Sequence, residues 1–153
     1  MSSIVPLSKN NVAYAVSLAE ELHRLGSLRD IAFDRDHMMK NAITMIDNPG
    51  WHCCLAKDDS DYYCGIVTGY ITPFLFSPKL MAVESCWYVK EKTSSRTKLA
   101  VQLMRGFVQW AKDHNVVKIQ TGDIAGINAL AVDNLYRRIG FTRAGTIYSM
   151  ELN

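Results

Sequence analysis

The sequence predicts a single mixed α/β domain, and three observations carry that prediction. Apolar residues recur at helical spacing before residue 50, alternate from there to residue 89, and return to helical spacing from about residue 97. Turn-forming clusters, Asn48-Pro49-Gly50 and Asp58-Asp59-Ser60-Asp61, mark the places where the chain must reverse. A strand, a helix and a second strand then follow one another from Met81 to Gln120, a spacing that calls for a parallel crossover.

Taken in order, residues 3–7 read as a short first strand. Asn10 or Asn11 can cap the helix that follows, whose apolar stripe is Val12, Ala15, Val16, Ala19, Leu22 and Leu25 and which Gly26 stops. Asp34 can cap a second helix carrying Met38, Ala42, Ile43 and Ile46 on one face. Residues 51–57, 62–71 and 79–89 are expected to form an antiparallel meander, its second connection a longer loop around Pro73 and Pro78. The helix expected over 97–114 places Ala100, Leu103, Met104, Phe107 and Ala111 three and four residues apart. A strand over 116–120, a helix over 128–139 and a last strand over 145–152 complete the order β-α-α-β-β-β-α-β-α-β.

A chain of 153 residues can bury one sizeable core, and 48% hydrophobic with 21% charged residues excludes a disordered or fibrous chain. Residues 1–153 are therefore read as one domain. A net charge of +2 gives no whole-molecule case for nucleic acid as partner. No apolar run approaches the roughly 20 residues that span a bilayer, and the N-terminal residues lack a secretory pattern, so a cytoplasmic protein is expected with no membrane partner. Cys53, Cys54, Cys64 and Cys86 include no Cys-x-x-Cys pair, and His23, His37, His52 and His114 are scattered. Reduced thiols and no metal are the expectation. The run Trp51-His52-Cys53-Cys54 alternates faces if it is a strand, so its side chains cannot converge on one ion.

Charge is concentrated in residues 90–98, where Lys90, Lys92, Arg96 and Lys98 stand against Glu91 alone. This loop feeds a helix start, whose first-turn N–H groups lack intrahelical partners and whose dipole favours an anion, so it is a natural phosphate site. The loop carries no interleaved aromatic residues, which argues against nucleic-acid binding.

Two local patterns and the element order together resemble the GNAT superfamily of acetyl-CoA-dependent N-acetyltransferases, over nearly the whole length. One pattern is Glu84-Ser85-Cys86-Trp87-Tyr88-Val89, similar to that family's fourth strand, followed by the basic loop and a helix. The other is Asn134-Leu135-Tyr136-Arg137-Arg138-Ile139-Gly140-Phe141, which looks like its Leu-Tyr-x-x-x-Gly-Phe stretch. The layout also looks like small acetyltransferases found in bacteriophage genomes, which often share an Asp at the second helix start and a Trp-Tyr-Val strand end. The resemblance implies a central, mostly antiparallel sheet with one parallel crossover and helices on both faces. It also implies acetyl-CoA as co-substrate, without a metal, and acetyl transfer to a primary amine by direct attack on the thioester. The family's phosphate motif would fall on Ser95, Arg96, Thr97, Lys98, Leu99 and Ala100, where Ala100 alone matches and Lys98 replaces a glycine.

The reaction needs a base, an oxyanion donor and an acid for the leaving thiolate. Glu84 is the candidate base, sharing a strand face with Cys86 and Tyr88 provided that any bulge falls after it. Tyr136 resembles the family's acid. A backbone N–H near Tyr88 or Val89 would hold the oxyanion, and Trp87 belongs to the same cofactor-facing strand end. Arg96 and Lys98 are the expected pyrophosphate partners, helped by amides from Ser94 to Leu99 and the hydroxyls of Ser95 and Thr97; Arg105, Arg137, Arg138 and Arg143 are expected to be solvent-facing helix or loop charges, with a contact from one of them to the 3′-phosphate as the alternative. Cys86 is expected to be an inert buried thiol. The acceptor would sit against residues 25–38 and 73–79, with Asp30, Asp34 and Asp36 to attract a cation; a small molecule and a protein amine both fit, and a homodimer is left open. The alternative is a GNAT-fold structural or binding protein, for example phage-associated, that has lost transfer.

Overall fold

The computed structural model describes residues 1–152 apart from 124, 125 and 127. Among the described residues, five strands form one sheet in the order β1-β2-β3-β4-β5. Strands β1 (Ser3–Pro6), β2 (Trp51–Lys57), β3 (Tyr63–Phe74) and β4 (Ser77–Val89) pair antiparallel, and β5 (Lys118–Gln120) joins β4 in parallel through Met81↔Lys118, Ala82↔Ile119 and Val83↔Gln120. Helices α1 (Val12–Leu25) and α2 (Arg35–Met45) precede β2, α3 (Arg96–Asp113) makes the crossover, and α4 (Ala129–Ile139) follows β5.

The sheet separates two apolar clusters. On one face Leu7, Val12, Val16 and Leu18 pack with Cys53, Leu55, Ile66 and Tyr88. On the other, Leu99, Leu103, Met104 and Phe107 of α3 pack on Ala56, Val67, Ala82 and Val89, with Leu135, Tyr136 and Ile139 of α4 at the margin. Cys53 and Cys54 thus enter opposite clusters, as strand alternation requires. Phe107 can pack closely on the sheet because β3 carries Gly69: a Cβ there would overlap its ring and stand 2.7 Å from the Val83 carbonyl oxygen. Gly69→Ala is expected to cost about 1–3 kcal/mol through overpacking, lowering Tm by roughly 3–10 °C in a melt. An unchanged Tm would show that α3 moves freely over the sheet.

Several expectations are corrected. The β3–β4 connection is a two-residue turn, not a long loop, because pairing runs on to Phe74↔Ser77 and leaves Leu75 and Phe76 exposed at the tip. Asn11 occupies the α1 cap position but its side chain turns back, accepting from the Ser8 amide and donating to the Pro6 carbonyl. Asp34 does cap α2, accepting from the His37 amide at 2.9 Å. Leu25 and Ile43 lie exposed, since the last turn of α1 and the outer side of α2 overhang the sheet. Residues 145–152 form no strand. Ile147, Tyr148, Met150 and Leu152 are exposed, and strand propensity cannot build a ladder when the nearest edge, β5, is three residues long.

Candidate active site

Beta strand β4 outruns its parallel neighbour. Pairing with β5 ends at Val83, so from Glu84 to Val89 the outer edge of β4 faces a gap that opens toward α3 and α4. Such a divergence, at the carboxyl ends of parallel strands, is where α/β sheets form ligand crevices. A bulge starts it: Gly69 pairs with Glu84 and Thr68 with Cys86, leaving Ser85 as the extra residue, its Oγ 2.7 Å from Thr68 Oγ1. The bulge falls between Glu84 and Cys86 and resets side-chain parity. Cys86 and Tyr88 therefore pack toward α1, while Trp87 and Val89 pack toward α3. The expected shared face of Glu84, Cys86 and Tyr88 is overturned.

Parity also sorts the backbone. Lys90 N–H bonds the Cys64 carbonyl at 2.8 Å, so alternation along the antiparallel ladder turns the Tyr88 N–H toward β3 and the Val89 N–H into the gap. Of the two oxyanion candidates, Val89 has the orientation. The Val89 carbonyl accepts from Arg96 Nε at 3.1 Å and Trp87 Nε1 donates to the Ala100 carbonyl at 3.1 Å, so two side chains tie the strand end to α3.

Glu84 and Tyr136, 52 residues apart, meet across this gap. The Tyr136 hydroxyl lies 3.2 Å from Glu84 Oε2, and Thr121 stands between them, donating to Glu84 Oε2 at 2.6 Å with its oxygen 2.6 Å from the Tyr136 hydroxyl. Sequence reading missed Thr121; the available signal was its place just beyond the carboxyl end of the short strand paired with β4. Tyr136 is fixed by the Trp87 ring at 5.0 Å and by Phe141, edge-on at 5.4 Å. Phe141 reaches it because Gly140, at φ 111°, turns the chain at the end of α4, its amide bonding Tyr136 and Arg137 carbonyls. The Tyr-x-x-x-Gly-Phe pattern is thus a clamp on the tyrosine.

Burial raises the Glu84 carboxyl above its ordinary value, against hydrogen bonds from Thr121, Tyr136 and the Gly122 amide that favour the ionised form. Burial, and next the charge of Glu84, push the Tyr136 phenol well above its usual range. Burial likewise raises the Cys86 thiol strongly, leaving it no thiolate for nucleophilic work. His52, packed between Phe107 and Trp110, is lowered by burial to about 4 and stays neutral.

On the basic side, the backbone N–H groups of Ser94, Ser95, Thr97 and Lys98 find no acceptor among the described residues. Thr97 and Lys98 border an open hollow of about 580 Å³ together with Val101, Gln102, Arg105 and Arg138. Lys98, Arg105 and Arg138 thus bring three cations to this hollow. Arg96 does not stand free: it is spent on the Val89 carbonyl. Leu99 and Ala100 are buried and offer the cleft only backbone. Tyr88 bonds Glu21 at 2.8 Å on the α1 side, where Lys90 also pairs with Glu21 at 3.6 Å, so the Tyr88 side chain is turned away from the gap. Of the acidic residues expected to attract an acceptor, Asp34 is occupied as a cap, while Asp30 and Asp36 are exposed; Arg35 is held by Glu20 and Ser17.

No protein-family model matches the sequence, and no curated protein matches it. Solved structures do. A probable acetyltransferase superposes with TM-score 0.77 at 16% identity, covering 99% of this chain and 98% of that one. AAC(6′)-Iy, in complex with the bisubstrate analogue CoA-S-monomethyl-acetylneamine, superposes with TM-score 0.79 at 11% identity over 100% and 99% of the two chains. Glucosamine-6-phosphate N-acetyltransferase from Arabidopsis thaliana gives 0.77 at 10% over 100% and 99%. The chain therefore shares the mixed α/β fold of these acetyltransferase structures. At these identities the likeness establishes architecture, and the activity has to be argued from the cleft's own residues.

Proposed function

We propose that the protein is an N-acetyltransferase that moves an acetyl group from acetyl-CoA to a primary amine by direct attack. The observation that carries this reading is the convergence of Glu84 and Tyr136 within 3.2 Å at the open end of the β4–β5 gap, beside an unsatisfied, cation-rich helix start. Glu84, its basicity raised by burial, takes the amine proton directly or through one water. Val89 N–H stabilises the oxyanion, and Tyr136 supplies the proton to the leaving thiolate. The pyrophosphate lies against the free amides of residues 94, 95, 97 and 98, and Lys98, Arg105 and Arg138 hold the outer phosphate end. The acceptor enters from the side of residues 25–38 and the Leu75–Phe76 turn, with Asp30 and Asp36 free to draw in a cationic small molecule or a lysine side chain. Two of the solved neighbours are named for, or bound to an analogue of, amino-sugar substrates, which supports a small-molecule amine.

The thiols are free and no described helix is long and apolar enough to cross a membrane, which supports a reducing, cytoplasmic setting. The likeness to phage-encoded members rests on the Asp34 cap and the Trp87-Tyr88-Val89 strand end. The competing reading, a binding protein without transfer, is favoured by Lys98 standing in the phosphate loop in place of glycine. The deciding experiment couples a melt with an acetyl-CoA titration and a free-thiol assay over an amine panel. Ligand at ~100 times its Kd adds about 2.7 kcal/mol, read as a rise of several degrees. Protection with thiol release supports transfer; protection without it supports the binding protein; neither removes both.

The charge assignment has its own test. Arg96→Glu would also break the Val89 clamp, so the clean variant pairs Lys98→Glu with Arg105→Glu. It is expected to weaken acetyl-CoA at least about tenfold, more at low salt than at high, with Tm unchanged. Equal affinity in wild type and variant would move the phosphate site elsewhere.

A further inference from the structure

The geometry points to Thr121 as a proton carrier between Glu84 and Tyr136, so that the proton taken from the amine becomes the one delivered to the departing thiolate. This inference rests on the base and acid roles proposed above and adds the connection between them. A threonine hydroxyl has one proton to give and lone pairs to accept with. While Glu84 is ionised, Thr121 gives that proton to Oε2 at 2.6 Å and accepts from Tyr136, also at 2.6 Å. The phenol proton then points inward, away from the cleft. In that arrangement Tyr136 cannot protonate sulfur.

Arrival of the amine proton on Glu84 reverses the chain. Oε2 becomes the donor to Thr121, the Thr121 hydroxyl rotates to donate to the phenol oxygen, and the phenol proton turns outward to the thiolate. As the N–C bond forms, the C–S bond breaks with its electron pair on sulfur. An ammonium substrate first loses its extra proton through Glu84 to solvent; the neutral amine then attacks, and in that step one proton leaves nitrogen and one reaches sulfur. Glu84, Thr121 and Tyr136 each gain one proton and pass one on, so the shift restores the starting arrangement without any further reactant. The direct Tyr136–Glu84 approach, at 3.2 Å, is longer than either step through Thr121. The other titratable group facing the cluster among the described residues is Asp123 from the segment after β5, with Cys86 of β4 behind it on the far face of the sheet, and both are left in place by the variants below.

Thr121→Val keeps the shape and deletes the hydroxyl. It is expected to lower kcat about ten- to thirtyfold, less than loss of an end group because the longer direct path remains, with the KM for acetyl-CoA within about twofold. Thr121→Ser should recover kcat to within about threefold of wild type. In mixtures of light and heavy water, kcat of the wild type should curve with deuterium fraction, reporting several protons in flight, and that of Thr121→Val should be closer to a straight line. Wild-type turnover in Thr121→Val, or no recovery in Thr121→Ser at an unchanged Tm, would overturn the relay and leave acetyl transfer standing. If Thr121→Val does not fold, a straight wild-type line alone overturns it. A wild type that releases no thiol with any amine overturns both readings.

Discussion

Tyr136→Phe is expected to lower kcat by about 10²- to 10³-fold while acetyl-CoA affinity stays within about twofold. The substitution removes one oxygen and nothing else. The ring keeps its contacts with Trp87 and Phe141, and the Thr121–Glu84 hydrogen bond at 2.6 Å remains, so no buried polar group is orphaned. Tm should therefore hold within a few degrees. Because burial and the Glu84 charge hold the phenol well above its usual range, Tyr136 stays protonated across the working pH range and should put no falling alkaline limb on the wild-type profile. The second of those causes fades once Glu84 is protonated, so the phenol becomes a better donor at the moment the thiolate forms. A donor thioester with a more acidic leaving thiol needs less help, and should shrink the gap between Tyr136→Phe and wild type. A loss under about threefold, or a gap independent of the leaving group, would reduce Tyr136 to packing.

Much of this cleft could be read in the sequence where the physics is local. The strand over 51–57 follows from alternation alone, and the two faces of Cys53 and Cys54 follow with it. Tyr136 was singled out by the resemblance of its Leu-Tyr-x-x-x-Gly-Phe stretch, and the structure adds the physical content of that pattern, a clamp of Gly140 and Phe141 built within one helix end. Glu84 was assigned a face it does not share, since one extra residue at Ser85 has no signature until β3 and β4 are laid side by side. Thr121 depends on where β5 stops relative to β4, which is a property of the pairing and not of either strand. Arg96 illustrates the opposite failure: composition marks a basic loop, but only the fold shows which cation turns inward to a carbonyl. Residues 145–152 carry strand-forming side chains and still lack a ladder, because a strand is a relation to an edge.

Glu84→Gln should separate function from stability by sign. If Glu84 takes the amine proton, kcat/KM of the wild type rises with pH through the ionisation of the base or of the amine. The glutamine variant should then be slowest at low pH, by about 10²-fold or more, and recover only in part as the amine becomes neutral unaided, because the relay through Thr121 stays broken at every pH. Stability should run the other way. The folded state holds the Glu84 proton more tightly than the unfolded chain, where the ordinary value is 4.5, because burial penalises the charge. Stability associated with this group is thus present below pH 4.5 and is lost as pH rises through the higher folded value; above both, the ionised carboxylate is a net cost to the fold. Glutamine removes that charge and keeps an oxygen for Thr121, so Tm at neutral pH should be unchanged or higher, and the wild-type and variant melts should converge in acid. A glutamate kept for structure would give the reverse: a lower Tm on replacement and a rate ratio constant across pH. Paired pH–rate profiles and melts of the two proteins distinguish these cases, and the second pattern would remove Glu84 from the chemistry and leave the amine to lose its proton to solvent.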